Sequence, residues 1–441
     1  FYAPKAVMQA AHVEPRLLHY KRPPMSEVLR DIIQRNRAGH AVAIPSVCSS
    51  QADVILASLL RAQTLDRPIV IEATSNQVNQ DGGYTGMRPN DFMAFVHGIA
   101  KDAGVDRERI QFGGDHLGPQ AWRSENSDSA MAKAHQLVAG YAQAGFSKIH
   151  LDCSEGCAGE PAQLDDEITS RRSADLARTC ANMADDLMFV VGTEVPPPGG
   201  ARTDESGDIA PTSPDAARAT LAIHRDQFGD MAPQIGGLVV QPGVEFSPMQ
   251  IHHLPIAKDP KLIQAIADWP SVCLEAHSTD YQHPQVFPRL AALGFAFQKV
   301  GPALTLAYRQ ALYSLDIVRS FSSGSERKLP HALETAMLDD PRYWQGHYQG
   351  GADQLKLQRH FGLADRIRYY WPVHSVKVAV QQLFDDLPRQ IPDPILWQVF
   401  SQPVLDRADA LSGTQAQRLV RAQIQLALDP YFFDPEAEGT S

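Results

Sequence analysis

The chain has 441 residues, 44% of them hydrophobic and 21% charged, with 30 Gly and 32 Pro marking frequent turns, an ordinary make-up for a globular protein with a sizeable core, in which disorder is not the default reading. A formal charge of -11 without any basic run argues against nucleic acid or an anionic membrane as partner, while leaving room for a local basic pocket around one phosphate. Five cysteines, most within apolar runs, read as reduced thiols; with no apolar stretch near the roughly eighteen residues of a membrane span and no signal-peptide pattern at the start, a cytoplasmic location is expected.

Residues 1–24 show no clear period and are read as an extension or arm, whereas Met25 opens an amphipathic helix, SEVLRDIIQRNRAG. Short apolar runs then recur: AVAIPSV (41–47), PIVIEAT (68–74), RIQFGGD (109–115), KIHLDCS (148–154), MFVVGTE (188–194), GGLVVQPG (236–243), VCLEAH (272–277) and FAFQKVGP (295–302). Runs this short and this apolar suit parallel strands buried on both faces. Between them lie segments of helical spacing such as ADVILASLLRAQ, NDFMAFVHGIAKDAG and SPDAARATLAIHRDQFG, several ending in glycine. Eight strand–helix units predict an α/β fold, a (β/α)8 TIM barrel over 25–322, in preference to an open doubly wound sheet. Residues 323–441 carry no strand series and are expected to form a helical appendage, with PRYWQGHY and ADRIRYYWP either packing on the barrel or serving as a lid.

In such a barrel the C-terminal ends of the strands share one mouth. Those positions hold Glu72, Asp115 with His116, Asp152, Glu194, Gln241, His277 and Lys299. Stability alone does not explain them, because each buried carboxylate must be paired, hydrogen-bonded or metal-bound. His116 and His277 with Asp152 or Glu194 would supply the nitrogen and oxygen ligands of a catalytic divalent metal; hydrogen-bonded core histidines are the alternative. Asp115 is a candidate general acid/base or an orienter of His116, or else a helix N-cap. Lys299, with Ser278, Thr279 and Gly301, sits where barrels commonly take phosphate, although Lys299 could equally pair with a carboxylate of the mouth. The loop after Glu72, EATSNQVNQDGGYTGMRPND, offers Asn76, Gln77, Asn79 and Gln80 to sugar hydroxyls, or is a polar surface loop.

At these loops the stretches IPSVCSSQ, IEATSNQVNQDGGYTGM, GGDHLGP, KIHLDCS, GTEVPPPGGA, VVQPGVEF, EAHSTDYQ, KVGPALT and DRIRYYWP resemble those of the D-tagatose-1,6-bisphosphate aldolase non-catalytic subunit family, GatZ/KbaZ. The resemblance runs from about Met25 into the helical tail. It implies a class II aldolase-like barrel acting on phosphorylated ketohexoses. One implied role is a stand-alone, metal-dependent 4-epimerase of D-tagatose 6-phosphate and D-fructose 6-phosphate; the other is an accessory subunit of a separate class II aldolase catalytic chain. A kinase label also attached to relatives finds no phosphate-binding G-x-x-x-x-G-K-[ST] loop here.

The C4 hydrogen of a 2-ketose is not alpha to the C2 carbonyl, so enolisation cannot invert that carbon. With no G-x-G-x-x-G turn for a nicotinamide, retro-aldol cleavage of C3–C4 and re-formation on the other face remains, assisted by a metal. On this reading His116, Glu194 and His277 hold the metal, zinc first, with manganese, cobalt or nickel as alternatives. Asp115, Glu72 and Asp152 are the acid–base candidates. Asn76, Gln77, Asn79, Gln241, Ser278, Thr279 and Lys299 are the candidate substrate contacts.

Overall fold

The computed structural model describes residues 25–192, 209–323 and 327–434. Eight parallel strands close into a barrel in sequential order: Ile44–Cys48, Ile69–Thr74, Ile110–Leu117, Lys148–Leu151, Met188–Val191, Ile235–Val239, Cys273–Ala276 and Phe295–Val300, the last pairing with the first. All eight expected runs are strands, and the (β/α)8 architecture stands as expected. The sixth loop carries an added two-stranded hairpin, Glu245–Phe246 with Ile251–His252.

Alternation along the strands produces two distinct interiors. Outward-facing Ile69, Ile71, Phe112, Ile149, Leu151, Phe189, Leu238 and Leu274 pack against the surrounding helices. Inward-facing Ile44, Val70, Met188, Val190, Val239, Cys273 and Phe297 meet Leu29, Ile32 and Ile33 of the first helix, Met25–Arg37. That helix seals the N-terminal end of the barrel with apolar side chains and leaves the other end to polar ones.

The helical tail begins after the long helix Pro302–Ser323 and runs through Lys328–Asp339, Ala352–Phe361, His374–Asp386, Asp393–Val399, Gln402–Asp409 and Gln415–Leu428. Its last helix returns to the barrel wall, where Gln425 donates to the Ala57 carbonyl at 3.2 Å and Arg61 pairs with Asp429 at 2.6 Å. The stretch between the first two tail helices and the turn Arg366–Tyr370 cross over the barrel mouth: Tyr281 donates to the Leu363 carbonyl at 2.5 Å, and Arg309 pairs with Asp365 at 2.8 Å with both side chains buried. Within the two aromatic stretches of the tail, Trp344, Tyr370 and Trp371 are packing residues, while Tyr343, Arg366, Arg368 and Tyr369 line the mouth. Packing and roofing are thus divided between neighbouring side chains, because successive residues of a tight helical turn point in different directions.

Candidate active site

The fourth strand places Lys148 and His150 on its inner face, with Asp152 continuing the alternation, and the seventh does the same with Cys273, Glu275 and His277. The third strand breaks the rule to bring two neighbours into one site. Asp115 and His116 would point to opposite faces of a regular strand. His116 instead adopts φ 46°, and the pairing with the fourth strand slips between Gly114 and Leu117. A left-handed residue with a Cβ is uncommon, and here it turns both side chains toward the mouth. Ser278, with φ 50°, makes a similar turn directly after His277.

Asp115, His116, His150 and His277 converge, with one ligand-type atom of each lying within 4.8 Å of the others. The three imidazole rings stand edge to face, with centroids 4.7 to 5.3 Å apart. Each ring has one nitrogen already committed on its far side. Asp152 Oδ2 lies 2.8 Å from His116 Nδ1, Glu275 Oε1 lies 2.8 Å from His277 Nε2, and the Gly192 carbonyl lies 3.0 Å from His150 Nε2. Since carboxylates and carbonyls accept, those nitrogens carry the protons. In neutral rings the opposite nitrogens, His116 Nε2, His150 Nδ1 and His277 Nδ1, carry the lone pairs. Imidazoles oriented by carboxylate and carbonyl partners are the usual support of a metal centre.

The chemistry of the donor set also fits a divalent cation. His150 Nδ1 accepts from the His116 amide at 3.2 Å and yet faces Asp115 Oδ1 at 3.1 Å. Lys299 Nζ supplies a positive charge at that same oxygen, 2.5 Å from Asp115 Oδ1. Three nitrogens and a carboxylate oxygen form a ligand set suited to zinc and neighbouring first-row ions.

Electrostatics act differently on each group: burial opposes the charge on His116, but Asp115 and Asp152 outweigh it and raise its pKa above the ordinary value. Burial depresses His277 to about 3 and so keeps it neutral, against the pull of Glu275. Burial alone would raise Asp115, but His116 and Lys299 outweigh it and hold the carboxyl well below its ordinary value. Burial likewise opposes the charge on Lys299, which Asp115 and Glu72 more than restore. Lys299 Nζ lies 2.5 Å from Asp115 Oδ1 and also contacts Glu72.

The remaining candidates divide by location. Asn76, Gln77, Asp115, His116, His277, Ser278 and Lys299 line a cavity of about 680 Å³ at the mouth. Glu72 lies deeper, wholly buried between Lys148 and Lys299, and Asp152 stands behind His116. Asn79 is occupied within its own loop, donating to the Ser75 carbonyl and accepting from the Asp81 and Gly83 amides. Gln241 accepts from the Gly243 and Val244 amides, and Thr279 donates to the Lys299 carbonyl; none of these three lines the cavity. Glu194 and the proline run after it lie outside the described residues.

Sequence reasoning missed His150, Lys148 and Glu275. The signal was present as strict alternation, K-x-H-x-D on the fourth strand and C-x-E-x-H on the seventh. Arg123, Asp280, Arg342, Arg366, Arg368 and Tyr369 also line the cavity; all but Arg123 lie in stretches the sequence singled out, though none was named there as a site residue.

Comparison with known proteins agrees with this architecture. The model of the "D-tagatose-1,6-bisphosphate aldolase subunit GatZ/KbaZ-like" family matches residues 29–435. The D-tagatose 6-phosphate 4-epimerase of Agrobacterium fabrum (strain C58) is 41% identical over 424 residues, covering 92% of this chain and 98% of that protein. The crystal structure of a probable tagatose 6 phosphate kinase from Sinorhizobium meliloti 1021 superimposes with a TM-score of 0.80 at 41% identity, covering 88% of this chain and 99% of that one.

Proposed function

The chain belongs to the D-tagatose-1,6-bisphosphate aldolase subunit GatZ/KbaZ-like family, and from that premise we propose that it is a metal-dependent 4-epimerase. It interconverts D-tagatose 6-phosphate and D-fructose 6-phosphate by cleaving and re-forming the C3–C4 bond. The observation that carries this reading is the trio His116, His150 and His277, each with its far nitrogen fixed by Asp152, Gly192 or Glu275, next to a carboxylate that opens on a cavity. A histidine cluster built only for packing would not need three separately oriented rings around a common point.

His116, His150 and His277 would hold the cation, with Asp115 close enough to share it. Zinc is our first assignment, and manganese, cobalt and nickel suit the same ligands. When bound, the cation supplies Lewis-acid polarisation of the C2 carbonyl and neutralises charge developing on the three-carbon fragment. Asp115 takes the C4 hydroxyl proton as C3–C4 breaks and returns it when the bond re-forms. Lys299 steadies that carboxylate, and Glu72 fixes Lys299 from below. Cleavage yields dihydroxyacetone from C1–C3 and glyceraldehyde 3-phosphate from C4–C6. Inversion requires the aldehyde to turn its other face before recombining, so both fragments must stay enclosed. A cavity of about 680 Å³, with Tyr343 and Tyr369 in its lining, has room for both fragments, falling within the roughly 300–1,000 Å³ usual for small-molecule sites.

The accessory-subunit reading shares the pocket but needs a separate class II aldolase chain as partner. Incubating the purified chain with D-tagatose 6-phosphate and a divalent metal separates the two: we expect fructose 6-phosphate to form. No conversion, together with stimulation of an added aldolase chain, would overturn the epimerase. A cytoplasmic setting belongs to the same proposal. All five cysteines are unpaired and four are buried, and no described helix is long and apolar enough to cross a membrane.

A further inference from the structure

The cavity holds a structural answer to how a phosphorylated ketose would be told from a free one, which deepens the epimerase reading and rests on it. Beta/alpha barrels commonly bind phosphate at the loops after strands seven and eight, on amides at a helix N-terminus. In this chain that position is filled. Asp280 Oδ1 accepts from the Gly301 and Ala303 amides at 3.1 and 2.7 Å, at the start of the helix Pro302–Ser323. A phosphate dianion would meet a carboxylate there.

The cations lining the cavity can be sorted by what already neutralises them. Lys299 pairs with Glu72 and Asp115, Arg123 with Glu155, and Arg342 with Asp340. Arg366 and Arg368 differ. Arg366 donates to the Tyr343 carbonyl at 2.5 Å and contacts His347 Nε2 at 2.7 Å; Arg368 donates to the Ala364 and Asp365 carbonyls and to the Tyr369 hydroxyl. All of these acceptors are uncharged groups. Among the described residues neither guanidinium has a carboxylate at ion-pair distance; Asp365, which lies next to Arg366 in sequence, pairs through Oδ1 with Arg309 at 2.8 Å. Both stand against the Tyr369 ring, at 4.9 and 4.7 Å from its centroid, and Tyr343 stacks on that ring at 4.8 Å. Two neighbouring cations held against an aromatic platform, with Asp280 and Asp365 near enough to act on Arg368 but no carboxylate at ion-pair distance, form a site for an anionic ligand group.

We propose that Arg366 and Arg368 bind the 6-phosphate, so that the helical tail, rather than the barrel, selects phosphorylated substrates. The barrel then holds the reacting carbons while the tail anchors the phosphate end of the C4–C6 fragment. That anchor keeps the aldehyde in the cavity while its carbonyl turns over.

Calorimetric titration of the metal-loaded full chain with inorganic phosphate, D-tagatose 6-phosphate and D-tagatose tests this, on wild type, Arg366→Gln, Arg368→Gln and Arg368→Lys. Loss of a charge-assisted contact worth about 1.5–3 kcal/mol corresponds to roughly 10- to 150-fold in affinity. We expect a fall of that size for phosphate and D-tagatose 6-phosphate in the two glutamine variants, a collapse of the preference over D-tagatose, and partial recovery in Arg368→Lys. Phosphate affinity unchanged in Arg368→Gln, or no phosphate binding by wild type, would overturn the proposal. Failure of the epimerase reading would appear separately, as wild-type protein that binds D-tagatose 6-phosphate through these arginines without converting it.

Discussion

Lys148 Nζ lies 2.7 Å from Glu72 Oε1, a contact between the fourth and second strands in which neither side chain reaches solvent. The same ammonium lies 2.6 Å from Glu275 Oε2, and Glu275 in turn fixes His277. A chain of alternating charge, Lys299–Glu72–Lys148–Glu275, thus crosses the barrel beneath the histidine cluster and ends on one of its rings. Gly113 makes space for it, since a Cβ there would lie 2.6 Å from Glu72 Oε1.

Lys148→Met leaves two buried carboxylates without their shared cation. Breaking a buried pair from one side typically costs about 3–5 kcal/mol, so urea denaturation should show a loss of that order. Burial opposes the charge on Lys148, and Glu275 and Glu72 restore it, holding its pKa above the ordinary value. A stability change under about 1 kcal/mol would mean the network is not compensated as described.

Glu275→Gln retains the size of the side chain but removes the carboxylate that orients His277. Outer partners of metal-binding histidines commonly contribute 10- to 100-fold in affinity, and a drop of about that size is expected. Competition with a coloured chelator measures it, and an unaltered metal affinity would separate Glu275 from the centre.

His116→Ala and His150→Ala should each lose both bound metal and turnover. Asp115→Asn should retain metal on the three rings while turnover falls by about 10²- to 10⁴-fold, the range of a lost acid–base group. Metal content by mass spectrometry alongside rate separates the roles: if Asp115→Asn loses its metal, Asp115 is a ligand first and another group moves the proton.

Asp280 has a pH signature. Burial raises its carboxyl to about 6, against two backbone amides that pull it down. The folded state therefore holds this proton more tightly than the unfolded chain. Its stabilising contribution is complete below the unfolded carboxyl range near pH 4 and is lost as pH rises through about 6. Comparing urea unfolding of wild type and Asp280→Asn at several pH values, we expect wild type to lose stability relative to the variant between pH 4 and 6. Parallel curves would contradict the shift.

Chelation of the metal should lower the melting temperature, because a ligand that binds only the folded chain stabilises it by mass action. The expected drop should vanish in His116→Ala, which has no metal to lose.

The strands were legible in sequence because burial on both faces makes each a short apolar run, and eight in alternation with helices close in only a few ways. Their C-terminal ends identified Asp115, His116, His277 and Lys299 without coordinates, since the barrel sends every strand end to one mouth. His150 was legible too, two residues from Lys148 and two from Asp152 on one face, for a reading that followed the period of two past the strand end. What sequence could not contain was the three-way match of rings to carboxylates and carbonyl, because His116 reaches Asp152, His277 reaches Glu275 and His150 reaches Gly192 through strand register and a left-handed turn at His116. Arg366 and Arg368 lie in a stretch the sequence marked as packing or a lid, but which side chains face the mouth was decided by tertiary structure: long-range contacts such as Arg309 with Asp365 and Tyr281 with Leu363 set their place, and local pattern carries no information about partners brought together only by folding.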